Sequence, residues 1–313
     1  MSHAGGFRVA AVGLGLGLAA VSAQAAAGGG TALPWWIWPL ALFVVCFLIG
    51  IVTVPAGIGG GVLFVPIVGS FFPFHLDFVR GAGLLVALAS ALAAAPTLLR
   101  GGLASLRLAL PLALLASVAS TAGALIGLAL PAHGVQLLLA GAVLCIVGLM
   151  LVSAKSEFPQ VAAPDALARA LGLHGVFVDG ATGRSVRWQV HRTLPGLAAF
   201  GVIGLLGGIL GIGAGWANVP ALNLLLGAPL KVAAGTSGLV LSLASSSAAW
   251  VYLDQGAVLA VIAVPSVVGM MLGARLGARL LGVLDGTVVR RLVIALLLLA
   301  GLRALQQAVT AWP

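Results

Sequence analysis

Apolar runs separated by short polar stretches dominate the chain, and they fall into two sets of five. The first set covers about 38–56, 61–73, 78–99, 107–130 and 134–153, and the second about 194–210, 215–227, 230–252, 257–281 and 287–308. A hydrocarbon core about 30 Å thick needs about 20 residues of α-helix at about 1.5 Å each. Eight of the runs are long enough for that. The second run of each set is only about 13 residues long, carries Pro66 or Pro220, and predicts a short broken helix led by glycines. The expected fold is an all-α polytopic membrane protein with about eight full transmembrane helices plus these two short ones.

The two sets repeat each other. Gly57-Ile58-Gly59-Gly60-Gly61, followed by Val65-Pro66, returns as Gly211-Ile212-Gly213-Ala214-Gly215 followed by Val219-Pro220, at an offset of 154 residues. At the same offset Gly81 falls on Gly235, Gly102 on Gly256, Pro111 on Pro265 and Gly123 on Gly277. One unit has been duplicated, giving repeat 1 over 38–153 and repeat 2 over 194–308. Broken helices in corresponding positions of two halves point to a transporter's substrate site near the bilayer midplane.

Charge placement sets the expected orientation. Arg100 and Arg107 flank the junction between the third and fourth runs of the first set, whereas Asp254 marks the equivalent junction of the second. The next junction reverses this bias, with Arg275, Arg279, Arg290 and Arg291 in the second set only. Basic residues favour the cytoplasmic side. Corresponding loops are therefore expected on opposite sides, which makes the halves inverted repeats and requires the short runs to traverse the protein. Lys231 joins the inner side. Residues 154–193 form a polar linker, expected to be cytoplasmic, in which Phe177–Val178 and Val186-Arg187-Trp188 flank turn residues and predict a small hairpin.

Composition narrows the class. Of 313 residues, 62% are hydrophobic and only 7% charged, against about a quarter charged in soluble domains. The net charge of +9 forms no basic patch interleaved with aromatics, so no nucleic-acid partner is expected. Cys46 and Cys145 lie inside apolar runs without metal or redox spacing and read as inert core residues. Arg8, the apolar stretch from Val9 to Val21 and Ala23-Gln24-Ala25 fit a cleaved signal peptide over 1–25. Trp35, Trp36 and Trp38 beside Pro39 suit an interfacial aromatic belt.

The glycine clusters carry the candidate chemistry. A helix start without side chains leaves several N–H groups open, and the positive end of the helix dipole points the same way, which makes an anion cradle. The competing reading is a glycine face for close helix crossing. The cradle would comprise Gly59, Gly60, Gly61 and Pro66 in the first half, and Gly213, Ala214, Gly215 and Pro220 in the second. Asn218, Gly235, Thr236 and Ser237 would add hydrogen bonds from the second half, with Ser242, Ser245 and Ser246 sharing one helix face beyond them. Asp77 is a candidate for ion coupling, although a loop ion pair with Arg80 competes with that role. No cofactor, metal cluster, nucleophile–base pairing or nucleotide-binding segment is legible, and no catalysis is expected.

These motifs resemble the sulfite exporter TauE/SafE family, bacterial permeases built from two copies of one domain. The resemblance runs from about Leu40 to Leu305, on the doubled glycine–proline pattern and on Gly235-Thr236-Ser237. Two departures stand out: Ala214 replaces a motif glycine, and Gly81-Ala82-Gly83 lacks the hydroxyls of its counterpart. The resemblance implies export of sulfite or an organosulfonate across the inner membrane. Proton-coupled uptake of a related anion, a channel, and a scaffold subunit without transport are the alternatives. The partners expected are a small anion and the lipid bilayer, and a homodimer is compatible with the sequence.

Overall fold

The structure is a computed structural model that describes residues 34, 36–56, 58–100, 104–152, 163–178, 185–280 and 286–310. The signal-peptide expectation, Gly57 and Gly102 lie outside them. Five helices form the first half: α1 Ile37–Ala56, α2 Gly60–Phe71, α3 Leu76–Arg100, α4 Leu106–Ala129 and α5 Ala132–Val152. In the linker come α6 Ala166–Ala170 and the strands β1 His174–Val178 and β2 Ser185–Gln189. The second half has α7 Thr193–Leu210, α8 Gly215–Pro220 running into a π-helical turn Ala221–Leu225, α9 Leu230–Asp254, α10 Ala260–Leu280 and α11 Gly286–Thr310. Eight of the described helices are long and apolar enough to cross a membrane. The chain is a multi-pass membrane protein.

The halves interlock rather than sit side by side. α1 packs on α10, and α4 packs on α7, so the first helix of each half lies against the fourth of the other. Glycines allow backbone contact there. A methyl group on Gly273 would sit 2.0 Å from the Phe47 carbonyl oxygen, and one on Gly208 would sit 2.1 Å from that of Ser120. Contact without a side chain between the backbones is how membrane helices gain dispersion energy when lipid is as apolar as leucine.

Contact order gives the directions. Phe43, Phe47 and Ile51 of α1 meet Gly269, Gly273 and Gly277 of α10, so this pair is parallel. Ala116, Ser120 and Leu205, Gly204 and Gly208 make α4 and α7 parallel as well. In contrast, α3 and α9 run antiparallel, because Arg80 lies by Tyr252 while Ala87 lies at the level of Leu241 and Ser245. α5 and α11 are antiparallel too: Gln136 donates to Gln307 at 2.8 Å, and Val143 touches Gly301.

The linker packs on one end of the bundle. The hairpin is antiparallel, with His174 opposite Gln189 and Val178 opposite Ser185. It buries Trp188 against a cluster containing Leu108, Leu226 and Val232. Asp165 caps α6 through the Ala168 N–H at 3.1 Å and also accepts from the Thr193 N–H and hydroxyl at 2.9 and 2.7 Å. One carboxylate thus ties the linker to the start of α7.

Two expectations need correction. Cys46 is buried, but Cys145 is exposed on the surface of α5 rather than in the core, because α5 turns much of its circumference outward in the described chain. Asp77 and Arg80 form the expected ion pair, at 2.7 Å, but within a helix rather than a loop. Asp77 lies in the first turn of α3, and Arg80 is inside that helix and 1% exposed.

Candidate functional site

The two glycine clusters meet. After α1 the chain turns back, with the Ile58 N–H bonded to the Thr53 carbonyl at 3.2 Å, and α2 starts from extended Gly59. In the second half, Gly211 and Gly213 take φ of +70° and +72°, a left-handed backbone that side chains disfavour, and α8 starts at Gly215. A methyl group built on Gly215 would lie 2.9 Å from the Gly59 nitrogen. From this meeting point the short helices diverge. α2 runs back to the end where α1 starts, since Trp38 packs edge-on against Phe72 with ring centroids 5.8 Å apart. α8 and its π-turn run to the linker end, where the Leu226 carbonyl accepts from the His191 N–H at 3.2 Å.

Tight packing occupies much of this junction. A methyl on Gly61 would meet the Ile212 carbonyl oxygen at 2.5 Å, and one on Gly60 would meet Met270 at 2.8 Å. The Gly60 N–H donates to the Ser90 hydroxyl at 3.1 Å, which itself donates to the Ala87 carbonyl at 2.8 Å. Ser90 thus supplies the first half with a hydroxyl that the comparison of Ala82-Gly83 with Thr236-Ser237 did not reveal. Ala214 is accommodated where the motif has glycine because its φ is −78°, which any residue adopts.

The polar residues divide into two groups. Thr236 is buried and accepts from the Ser105 N–H at 3.2 Å, so it ties α9 to the start of α4. Ser242 and Ser246 bond their own helix carbonyls three residues back. Asn218 and Ser245 differ from these. Both are fully buried, and Asn218 Oδ1 and Ser245 Oγ have no hydrogen-bond partner among the described residues. The Asn218 amide nitrogen faces the Ser237 carbonyl at 3.5 Å, which fixes the other end of the amide as the free acceptor. Ser245 Oγ lies 2.9 Å from where a side chain on Gly213 would start. Trp216, next to Gly215, also holds its indole Nε1 buried and unpartnered. Its signal in the sequence was a tryptophan within an apolar run, away from the interfacial belt that normally holds this residue.

Pro66 lies within α2 and Gly235 within α9, both buried and packed in the core. Pro220 closes α8 and precedes the π-turn, where the Leu226 N–H reaches back five residues to the Ala221 carbonyl at 3.1 Å. A proline has no N–H to continue the ladder, and widening to a π-turn re-satisfies the freed carbonyls.

Arg80 is the charge nearest the second cluster. Its guanidinium donates to Asp77 Oδ1 at 2.7 Å and to the Ile209 carbonyl, and lies 5.4 Å from the centre of the Tyr252 ring. The Tyr252 hydroxyl donates to the Gly208 carbonyl at 3.2 Å. Both groups therefore cap the end of α7, where unpaired carbonyls and the negative end of the dipole attract a cation. Above them an open cleft of about 590 Å³ is lined by His75, Asp77, Phe78 and Gln255 among others.

Comparison with known proteins bears on this site. No curated protein and no solved structure matches the chain. The family model described as sulfite exporter TauE/SafE matches residues 42–304, which include all ten helices outside the linker in whole or in large part. The match covers most of the chain, glycine clusters included: the chain belongs to the sulfite exporter TauE/SafE family.

Proposed function

We propose that the protein is a secondary transporter or facilitator that exports a small oxidised-sulfur anion, sulfite or an organosulfonate, across the bacterial inner membrane. The observation that carries this reading is the meeting of Gly59 and Gly215, with the unpaired buried Ser245 Oγ beside Gly213. A buried polar atom without a partner costs about 1–3 kcal/mol, and a bound oxyanion would supply an unpaired donor with a partner. The helix starts and the Ser245 hydroxyl act as donors to the anion's oxygens. No full charge sits at the cluster itself, while Arg80 under Gly211 adds positive potential nearby.

The antiparallel course of α3 against α9 and of α5 against α11 supports two halves inverted in the membrane, with the linker inside. Alternating access then follows by movement of one half against the other around the shared site. Export of a monoanion from a negative interior is favoured by about 2.3 kcal/mol per 100 mV, so outward flux requires no coupling acid. Asp77 is engaged by Arg80, which favours this reading over proton-coupled uptake through Asp77.

The test is efflux of labelled sulfite and sulfoacetate from proteoliposomes under an imposed potential. Saturable efflux that falls in Ser245→Ala supports the reading. Efflux equal to that of protein-free vesicles for every sulfur anion tried would retire it.

A further inference from the structure

The space left by three glycines is filled by one leucine. Leu241, in the middle of α9 and 4% exposed, sends its Cδ2 to 2.8 Å from the position a side chain on Gly59 would take, and to 3.1 Å from that on Gly215. Its Cδ1 lies 3.0 Å from the corresponding position on Gly213. Both clusters thus lack side chains where this isobutyl group sits. Across the junction, Leu241 packs with Ala87 and Ala91 of α3 in a small cluster separate from the main cores.

The repeat makes this arrangement lopsided. At the offset of 154 residues, Ser237, Leu241 and Ser245 correspond to Gly83, Ala87 and Ala91. The stripe on α3 is small at all three positions; that on α9 carries a single bulky apolar group flanked by two hydroxyls. One of those neighbours, Ser245, holds the unpartnered Oγ beside Gly213. Glycine and alanine form much of its surroundings, so its removal would leave a gap between the clusters.

We infer that Leu241 is the occluding side chain of the substrate path. It closes the gap between the glycine clusters in this conformation, and its volume sets the size of anion that passes when it swings aside. The inference deepens the transport reading and rests on it for the identity of the cargo. The plug itself can be tested without any cargo.

The experiment uses the full-length protein in proteoliposomes, with Cys46→Ala and Cys145→Ser, and with Ala87→Cys as a reporter across from Leu241. The probe is a small anionic methanethiosulfonate. With Leu241 present the reporter is expected to be inert. In Leu241→Ala, and to a lesser degree in Leu241→Val should the alanine variant not fold, its labelling rate rises by about tenfold or more, as for a site moved from local opening to direct access. In the same variants efflux of sulfoacetate rises relative to that of sulfite, and Leu241→Phe depresses both. Equal labelling with leucine, valine and alanine at position 241, whether fast or absent, overturns the plug. Labelling that depends on residue 241 without efflux of any sulfur anion keeps the plug and removes the proposed cargo instead.

Discussion

Arg80 reaches out of the first half of the chain to hold the Ile209 carbonyl at the end of α7 in the second. It is anchored from the other side by Asp77, and the three groups link the halves one turn from the second glycine cluster. A buried cation held in this way is lost at a higher cost than either neighbour.

Arg80→Ala is therefore expected to destabilise the protein by about 3–5 kcal/mol, since Asp77 and the Ile209 carbonyl both lose a partner. Asp77→Asn should cost less, about 1–2 kcal/mol, because the carboxylate is 34% exposed and water can replace part of the interaction. Thermal unfolding of both variants in detergent checks the order. A larger loss for Asp77→Asn would contradict the arrangement.

Glycines of similar composition should divide by location. Gly211 has φ +70° and would place a methyl 2.5 Å from the Arg80 Cα; Gly141 has nothing within 4 Å of that position. Gly211→Ala combines a left-handed penalty of about 1–2 kcal/mol with a backbone clash and should abolish stable expression. Gly141→Ala should be neutral or stabilise by up to about 1 kcal/mol. Fluorescence-detected size exclusion separates the two outcomes.

Removing an unpaired atom has opposite effects with and without substrate. Ser245→Ala deletes a buried hydroxyl that has no partner, so the substrate-free protein should become more stable by about 1 kcal/mol or more. Stabilisation by added sulfite should shrink in the same variant. An unchanged sulfite-dependent shift in melting temperature would remove Ser245 from the site.

The linker anchor should respond to acid. Burial raises the Asp165 pKa, but hydrogen bonds from the Thr193 hydroxyl and N–H and from the Ala168 N–H outweigh it and hold the carboxyl below its ordinary value. A carboxylate with a depressed folded pKa stabilises above the unfolded value, about 3.9, and this contribution disappears as pH falls through the lower folded value. Asp165→Asn keeps an acceptor for the cap but has no charge to titrate. Its melting temperature should vary less than the wild type's as pH falls from the unfolded value through the lower folded one. Parallel profiles for the two proteins would show that Asp165 does not titrate in this way.

Local pattern made much of the architecture legible. Helix ends lie within three residues of the apolar runs for most helices, since a lipid-facing helix must be apolar along its whole length and the runs stop where water begins. The hairpin at Phe177 and Val186 was visible for a related reason, as alternation between turn residues. Tryptophan and arginine broke the pattern: Trp216 is drawn in beside a glycine cluster, and Arg80 lies within a span although its neighbours Asp77 and His75 suggested a loop. Both placements depend on partners more than a hundred residues away in sequence or on packing around the ring.

The sequence by itself determined that the chain has eight runs long and apolar enough to cross a membrane and carries one glycine–proline motif twice, because hydropathy and repetition are properties of neighbouring residues. Only the tertiary structure decided that Gly59 faces Gly215, that Leu241 fills the room they leave, and that Ser245 keeps an unpaired atom beside Gly213. These depend on how α3 and α9 cross, and the same glycines are equally compatible with an open cradle and a closed seam until a specific side chain is brought between them.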